Sequence, residues 1–180
     1  MQKMKNNIGF FKDELQHIKA FVFDVDGVFT DGMIFVSGDG TQTRSMNVKD
    51  GYAVHYANRK GYPIGIISGG KCQSIIHRFS DLGIQDIYIA SHDKIKDFED
   101  FLQKHALSAH DVLYIGDDLP DYNVLKRVRL AVCPADAAHE IKEICHYISP
   151  KPGGAGCVRD VIEQTLKAHG TWMNEEAFVW

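Results

Sequence analysis

The sequence predicts an α/β fold, doubly wound around a mainly parallel, Rossmann-like sheet. Short apolar runs alternate with helical stretches along most of the chain, a pattern typical of repeated strand–helix–strand units. Several of these runs are continuously apolar instead of alternating with polar residues, which indicates parallel strands covered on both faces. At 180 residues, we expect a single domain that spans residues 1–180.

The predicted elements follow one another in a regular order. From the N-terminus, the strands are KAFVF (19–23), YPIGII (62–67), DIYIA (86–90), DVLYI (111–115), RLAVC (129–133) and a weaker HYIS (146–149). Helices are predicted near residues 50–60, 71–82, 94–105, 119–127, 137–145 and 157–168. Gly61 and Gly83 follow two of these helices and are natural C-terminal stops.

One segment interrupts this alternation of strands and helices. MIFVSGDGTQTRSM (33–46) reads as strand, turn and strand, with SGDG supplying the turn of a β-hairpin. The segment leaves the carboxyl end of the first predicted strand, where doubly wound folds place their ligands. We therefore expect a small hairpin flap over a ligand site.

Composition and charge argue against several classes of partner. The formal net charge of −4 gives no electrostatic reason to expect nucleic acid. No apolar run approaches the roughly 20 residues of a membrane span, and residues 1–19 contain no apolar segment typical of a signal peptide. The cysteines are scattered without a CxxC pair, so we expect reduced thiols and a cytoplasmic protein. They are Cys72, Cys133, Cys145 and Cys157.

Polar side chains follow four of the predicted strands. The first strand runs into DVDGVFTDG (24–32), where Asp24 and Asp26 point to the same side of an extended segment. The second strand ends in IISGG, with Ser68 just beyond the sheet, and Lys94 follows the third at a helix start. The fourth strand ends in IGDDLPD, which contains Asp117, Asp118 and Asp121. All four sets should converge on the carboxyl edge of one parallel sheet.

These side chains suit phosphoryl transfer through an aspartyl-phosphate. Asp24 could attack phosphorus and form a covalent intermediate that water later hydrolyses. Because a carboxylate repels a phosphate dianion, a divalent cation is needed, and Asp24 and Asp117 offer the oxygen ligands that Mg²⁺ prefers. Ser68 and Lys94 could hydrogen-bond to the equatorial phosphoryl oxygens and neutralise their charge. Asp26 would protonate the leaving alkoxide and then activate the water.

The chain also resembles a known family. DVDGVFTDG, IISGG, Lys94 within SHDKIKDF, and GDDLPD look like the four motifs of the haloacid dehalogenase superfamily of phosphatases. DGVFTDG, the hairpin, MNVKDGYA and KPGGAGCVRDVIE are most similar to its branch of 3-deoxy-D-manno-octulosonate 8-phosphate phosphatases. The resemblance covers about residues 18–170 and implies a magnesium-dependent cytoplasmic enzyme without a large cap domain. It also implies a homotetramer, in which hairpins pack together and a neighbouring subunit helps to close each site.

The resemblance assigns roles to individual residues. Asp24 is the nucleophile and Asp26 the acid/base, while Asp24, Asp117 and the backbone carbonyl of Asp26 bind magnesium. Substrate contacts are implied for Asp26, Asn47, Val48, Lys49, Asp50, Gly51, His55, Gly69, Lys71, Arg78 and Lys94. At His55 and Gly70, this sequence departs from a family pattern that carries arginine.

The remaining acidic residues are expected to support the site. Asp31 should shape the turn into the hairpin. Asp118 and Asp121 should hold Asp117 in place or pair with Lys94.

Three further features have expectations of their own. Arg44 is expected to be a solvated strand residue, and KPGGAG (151–156) a flexible loop at the rim of the site, because it lacks phosphate-loop spacing. The tail, residues 169–180, carries aromatic residues that should either dock onto an adjacent subunit or form a disordered end. These aromatic residues are Trp172, Phe178 and Trp180.

Two alternatives to an eight-carbon sugar-acid phosphatase stay open at this point. The same chemistry could act on a nine-carbon keto-deoxy sugar acid phosphate or on another small sugar phosphate. A non-enzymatic phospho-receiver module would also be doubly wound, with Asp, Ser/Thr and Lys in its site. In that class the phosphorylated aspartate follows the third strand, whereas here Asp24 follows the first.

Overall fold

Within residues 8–179, which the computed structural model describes, six strands form one parallel sheet. Its strands are β1 (Ala20–Phe23), β4 (Ile64–Ile67), β5 (Asp86–Tyr88), β6 (Val112–Ile115), β7 (Leu130–Cys133) and β8 (Tyr147–Ile148). A separate antiparallel pair consists of β2 (Phe35–Val36) and β3 (Gln42–Thr43). The predicted sheet strands and the predicted hairpin are therefore confirmed.

The helices also lie close to their predicted positions. They are α1 (Ile8–Glu14), α2 (Val48–Arg59), α3 (Gln73–Asp81), α4 (Lys94–Lys104), α5 (Tyr122–Leu125), α6 (His139–Ile144) and α7 (Cys157–Ala168). Short 3-10 helices lie at Leu15–His17, Ala109–Asp111, Leu119–Asp121 and Glu175–Phe178. The predicted helix over 119–127 is thus a 3-10 turn followed by one turn of α-helix. α1 has no counterpart among the predicted elements.

The sheet order is β5-β4-β1-β6-β7-β8, which places β1 in the middle. β1 pairs with β4 through Phe23 and Ile66, and with β6 through Phe23 and Ile115. The chain moves outward from β1 on one side and then on the other, which opens a crevice at the carboxyl end of β1. This is the topology that the Rossmann-like prediction requires.

Both faces of the sheet are covered by helices. All four residues of β1 are buried, and they alternate between the two faces. Phe21 and Phe23 pack with α2, α3 and α7, whereas Ala20 and Val22 pack with α4, α5 and α6. This double coverage explains why the strands are continuously apolar in sequence.

The hairpin is shorter than the sequence suggests. Its strands have two residues each, with Phe35 opposite Thr43 and Val36 opposite Gln42. The connecting turn is closed by a hydrogen bond from the Ser37 amide to the Thr41 carbonyl oxygen, at 2.9 Å. The hairpin directly follows the loop after β1, so it lies beside the carboxyl edge of the sheet.

No helix among the described residues combines the length and apolar character that crossing a bilayer requires. The signal-peptide prediction concerns residues 1–19, of which 1–7 lie outside the described part of the chain.

Candidate active site

The predicted site residues meet at the carboxyl edge of the sheet. Asp24 directly follows β1, and its amide donates to the carbonyl oxygen of Ile115 on β6 at 3.0 Å. Ser68 directly follows β4, and Asp117 lies two residues beyond β6. Lys94 is the first residue of α4. Because parallel strands end at the same edge, four distant motifs reach one crevice.

Lys94 lies between two carboxylates. Its Nζ is 2.8 Å from Asp24 Oδ1 and 2.7 Å from Asp121 Oδ1, and all three side chains are largely buried. Burial alone would lower the pKa of Lys94, but the charges of Asp24 and Asp121 outweigh it and raise the pKa. Lys94 is therefore a fixed cation beside the predicted nucleophile.

Asp121 links the Lys94 ammonium group to the backbone of the GDD segment (116–118). Its Oδ1 also accepts a hydrogen bond from the Tyr114 hydroxyl at 2.6 Å, and its Oδ2 accepts one from the Asp117 amide at 3.1 Å. Asp121 thus both holds the segment around Asp117 and pairs with Lys94. Asp118 is exposed, and its amide lies 3.4 Å from Asp121 Oδ2. Tyr114 was missed by the sequence analysis, although its position near the end of β6 could have indicated it.

Three carboxylates lie close enough to share a cation. Oxygen atoms of Asp24, Asp117 and Asp121 lie within 4.8 Å of one another. Burial, followed by the charge of Asp121, raises the pKa of Asp24 well above its usual range and that of Asp117 to about 7. This crowding of buried negative charge is what a divalent cation would relieve. Both oxygens of Asp121 already accept hydrogen bonds, Oδ1 from Lys94 and Tyr114 and Oδ2 from the Asp117 amide. Asp24 and Asp117 are therefore the side chains that fit Mg²⁺.

Gly27 allows Asp117 to approach the loop after β1. Its φ is +81°, and a β-carbon at this position would overlap the Asp117 carboxylate. The loop itself is folded around the buried Thr30, whose Oγ1 accepts hydrogen bonds from the amides of Gly27 and Gly32, both at 3.2 Å. The glycine of DVDG is therefore required by the site's geometry as well as by its turn.

Asp26 is held by an arginine from the hairpin. Arg44 Nε donates to Asp26 Oδ1 at 2.6 Å, and Nη2 donates to Oδ2 at 3.1 Å. The hydrogen bonds to Asp26 raise the pKa of Arg44. The side chain of Arg44 is only 3% exposed, so the expectation that it is a solvated strand residue is wrong. The partners are 18 positions apart, and no local pattern could have indicated the pair.

Ser68 is buried at the end of β4. Its Oγ accepts a hydrogen bond from the Gly70 amide at 3.0 Å, and its backbone is bonded to Tyr88 and Ser91. A β-carbon on Gly70 would lie 3.2 Å from Ser68 Oγ and 3.3 Å from Arg44 Nη2. The absence of a side chain at Gly70 therefore leaves space between the predicted phosphate-binding hydroxyl and the Arg44 guanidinium.

The KPGGAG loop (151–156) is packed against the loop after β1. The Gly154 amide donates to the Val28 carbonyl oxygen at 2.9 Å, and a β-carbon on Gly153 would overlap the Gly27 carbonyl oxygen. Asn47 caps α2 through the Lys49 amide and donates to the Gly154 carbonyl oxygen at 3.3 Å. The expected flexible loop is thus replaced by a packed support for the site.

Asp50 caps a helix from a buried position. It is fully buried, and its Oδ1 accepts a hydrogen bond from the Arg159 amide in the first turn of α7, at 2.7 Å. An aspartate at this position caps the helix and interacts favourably with its dipole. Burial raises the pKa of Asp50. Its Oδ2 is buried without a hydrogen-bond partner, and its contact with substrate stays a prediction.

His55 lies against the end of α3, and its contact with substrate stays a prediction. Its Nδ1 lies 3.2 Å from the carbonyl oxygen of Leu82, which follows the last turn of α3. The carboxyl edge of the sheet lies at the opposite end of α3, because that helix begins just after β4. Gly51 and Arg78 are in contact, and a β-carbon on Gly51 would overlap the Arg78 guanidinium.

The other predicted substrate contacts lie on the surface. Val48, Lys49, Gly69 and Lys71 are all exposed. The first two begin α2 and the last two follow Ser68, so all four are near the carboxyl edge. Their contact with substrate stays a prediction.

The tail packs on its own chain. The Tyr56 hydroxyl donates to the Thr171 carbonyl oxygen at 2.9 Å, and the rings of Tyr56 and Trp172 meet edge to face at 5.6 Å. Lys60 Nζ is 2.6 Å from Glu176. Trp172 thus packs on α2, Phe178 is exposed and Trp180 lies outside the described residues. Docking of the tail onto an adjacent subunit stays a prediction.

Asp31 shapes the entry to the hairpin. Its Oδ1 accepts a hydrogen bond from the Met33 amide at 3.0 Å, which forms the local turn that the sequence predicts.

Comparisons with known proteins agree with this geometry. A family model described as haloacid dehalogenase-like hydrolase matches residues 70–159. The 3-deoxy-D-manno-octulosonate 8-phosphate phosphatase of Escherichia coli K12 is 36% identical over 155 residues, which cover 86% of this chain and 82% of the relative.

Solved structures show the same similarity. The phosphatase of this name from Yersinia pestis superposes with a TM-score of 0.88 at 31% identity, covering 91% of this chain and 88% of the other. The one from Moraxella catarrhalis, solved with magnesium, phosphate and KDO, has a TM-score of 0.86 at 31% identity, with 90% and 93% covered. The chain belongs to the haloacid dehalogenase-like hydrolase family, in its branch of 3-deoxy-D-manno-octulosonate 8-phosphate phosphatases.

Proposed function

We propose that this protein hydrolyses 3-deoxy-D-manno-octulosonate 8-phosphate to the free sugar acid and inorganic phosphate. The observation that carries the proposal is the position of Asp24, which lies at the end of the central strand, paired with Lys94 and beside Asp117. The similarity to phosphatases of this name, including one solved with KDO, supports the choice of substrate.

The chemistry follows from the roles that these positions allow. An Asp24 oxygen attacks phosphorus while the bond from phosphorus to the sugar oxygen breaks, which leaves phosphate on Asp24. Asp26 gives its proton to the departing alkoxide and then takes one from water, which attacks phosphorus and frees Asp24. Lys94 and Ser68 bind the phosphoryl oxygens.

Magnesium is the cofactor of this reaction. Asp24, Asp117 and the backbone carbonyl of Asp26 would hold the ion, and the raised pKa values of the two carboxyl groups support a cation there. When bound, Mg²⁺ supplies positive charge that offsets the repulsion between a carboxylate and a phosphate group.

Association between copies is part of the proposal. Met33, Phe35 and Val36 leave large apolar side chains exposed on the hairpin, with Phe35 and Val36 each 66% exposed. An exposed apolar patch of this kind suits an interface between subunits, and we propose a homotetramer assembled through the hairpins. The protein would act in the cytoplasm as a single domain over residues 1–180, on a small molecule and without nucleic-acid or membrane partners.

A phosphate-release panel tests the proposed function. Purified protein with Mg²⁺ is given the eight-carbon substrate, a nine-carbon keto-deoxy sugar acid phosphate and neutral sugar phosphates. We expect the highest kcat/KM for the eight-carbon acid, and a better nine-carbon or neutral substrate would redirect the assignment.

Two further measurements test the chemistry. Asp24→Asn and chelation of Mg²⁺ should each abolish turnover. Asp31→Asn is the matched control in the same loop, because asparagine retains the oxygen that accepts from the Met33 amide. Substantial activity of Asp24→Asn would refute an aspartyl-phosphate mechanism.

A further inference from the structure

A buried arginine at the end of an exposed hairpin is unusual. Arg44 directly follows β3, whose residues are exposed, yet the Arg44 side chain is 3% exposed while its partner Asp26 is 30% exposed. The hairpin therefore delivers a charged side chain into the crevice, where it covers part of the predicted acid/base.

The contact between Arg44 and Asp26 fixes the whole carboxylate. Nε and Nη2 bind different oxygen atoms, at 2.6 and 3.1 Å, so rotation of the carboxylate would break at least one hydrogen bond. Each carboxylate oxygen has a second acceptor position. One of these positions would carry the proton that Asp26 gives to the sugar oxygen and later takes from water.

The third guanidinium nitrogen indicates more than a structural pair. Arg44 Nη1 is buried and has no hydrogen-bond partner. Unsatisfied buried donors are uncommon in folded proteins, and each one calls for an explanation, of which a role in binding or catalysis is one. The nearby Gly70 has no side chain to fill the space between Arg44 Nη2 and Ser68 Oγ, which would lie 3.3 and 3.2 Å from a β-carbon there.

The hairpin is also fixed at a second point. Cys72 Sγ donates to the Gln42 carbonyl oxygen at 3.4 Å, which joins β3 to the residue that precedes α3. The position of Arg44 therefore depends on the hairpin lying against the start of α3.

We infer that Arg44 is a positioning residue that aims Asp26 at the leaving-group oxygen, and that it makes proton transfer depend on the placement of the hairpin. The inference rests on the proposed phosphatase function, in which Asp26 protonates a leaving alkoxide. Proton transfer requires a heavy-atom distance of about 2.6–3.2 Å, and a freely rotating, part-exposed carboxylate would meet it only part of the time.

The test uses leaving groups of different basicity. A sugar phosphate expels a strongly basic alkoxide that needs a proton, whereas p-nitrophenyl phosphate expels a weakly basic phenolate that does not. Arg44→Met should lower kcat for a sugar phosphate about 100-fold, within the range of general acid catalysis, and lower kcat for p-nitrophenyl phosphate less than about fivefold. Arg44→Lys keeps the positive charge but cannot bind both carboxylate oxygens as the guanidinium does. It should therefore show a smaller loss of kcat, again mainly for the sugar phosphate.

Controls separate positioning from general damage. Arg127→Gln removes an arginine from an exposed ion pair with Glu99 and should leave both substrates unaffected. Thermal unfolding of each variant shows whether it is folded. In an Asp26→Asn background, Arg44→Met should lower sugar-phosphate turnover less than about twofold further, because Arg44 acts through Asp26.

Each outcome is decisive. An equal loss on both substrates, or a full additional loss in the Asp26→Asn background, would overturn the role of Arg44 while leaving the phosphatase assignment intact. Wild-type protein that turns over neither the sugar phosphates nor p-nitrophenyl phosphate would overturn the proposed function and this inference together. If Arg44→Met is unfolded, the comparison is made with Arg44→Lys.

Discussion

Gly27 leaves the space that the Asp117 carboxylate occupies, because any β-carbon at Gly27 would overlap that side chain. The two residues come from different motifs, one after β1 and one after β6. Their contact lies where the ends of the paired strands β1 and β6 meet, at the predicted magnesium site. The same glycine has a φ of +81°, so its conformation and its lack of a side chain are both required.

Gly27→Ala should therefore damage both stability and metal binding. The left-handed conformation should cost about 1–2 kcal/mol, and displacement of Asp117 should weaken Mg²⁺ affinity at least about tenfold. Gly61→Ala is the matched control, since Gly61 has a φ of +84° with nothing within 4 Å of an added β-carbon. Isothermal titration with Mg²⁺ and denaturant unfolding measure the two effects. Equal Mg²⁺ affinity in both variants would contradict the contact's role.

Lys94→Met should leave Asp24 and Asp121 buried without their cation. Breaking a buried ion pair on one side costs about 3–5 kcal/mol, so the free energy of unfolding in Mg²⁺-free buffer should fall by that amount. Turnover should fall at least about 100-fold, because a donor to the phosphoryl group is also lost.

Lys96→Met is the control for this loss. Lys96 lies on the same helix, in an exposed ion pair with Asp93 at 3.4 Å, and its removal should change stability by less than about 0.5 kcal/mol. Similar free energies of unfolding for the two variants would mean that the buried ion pairs of Lys94 with Asp24 and Asp121 contribute little to stability.

Tyr114→Phe removes the hydroxyl that donates to Asp121 while keeping the buried ring. We expect a loss of about 1.5 kcal/mol in stability and of about tenfold in turnover, because Asp121 then holds Lys94 and the Asp117 amide less firmly. Tyr88→Phe is the control, since its hydroxyl donates to Asp100 at 2.7 Å on the surface. Denaturant unfolding and steady-state kinetics distinguish the two; a Tyr114→Phe enzyme with wild-type turnover would remove this link from the site.

Asp50 offers a test of the capping role against the predicted substrate contact. Asp50→Ala should lower the free energy of unfolding by about 1 kcal/mol, as expected for the loss of a helix cap, while Asp50→Asn keeps an oxygen acceptor and should lose less. KM should change little in both variants. A large rise in KM without a loss of stability would instead favour a contact between Asp50 and the substrate.

The contribution of Asp50 to stability should depend on pH. Because burial raises the pKa of Asp50, the folded protein holds the proton more tightly than the unfolded chain does. The contribution to stability is fully present below the unfolded pKa of about 3.9 and is lost as pH rises through the folded pKa. Denaturant unfolding of the wild type and of Asp50→Asn at several pH values measures this loss. As pH rises, the free energy of unfolding of the wild type should fall relative to that of Asp50→Asn. A difference between the two that does not change with pH would contradict this.

The sequence alone determined the fold class and which residues lie at the carboxyl edge of the sheet, where the candidate active site is. Continuously apolar runs indicate strands that are buried on both faces, and parallel strands end at one edge. Residues that lie just beyond the ends of such strands, among them Asp24, Ser68 and Asp117, therefore had to converge. These features are local, because each is recognisable in one short segment without knowledge of the segments that pack against it.

Tertiary structure alone decided which side chains pair and which are enclosed. Arg44 and Asp26 are 18 positions apart, and Asp50 and Arg159 are 109 apart. Their contacts depend on how the hairpin lies over the crevice and how α2 packs against α7. Neither arrangement has a local period or motif, because the energy of a long-range contact depends on the final packing of whole elements. For the same reason, an arginine that looked solvated in the sequence lies buried against the predicted acid/base.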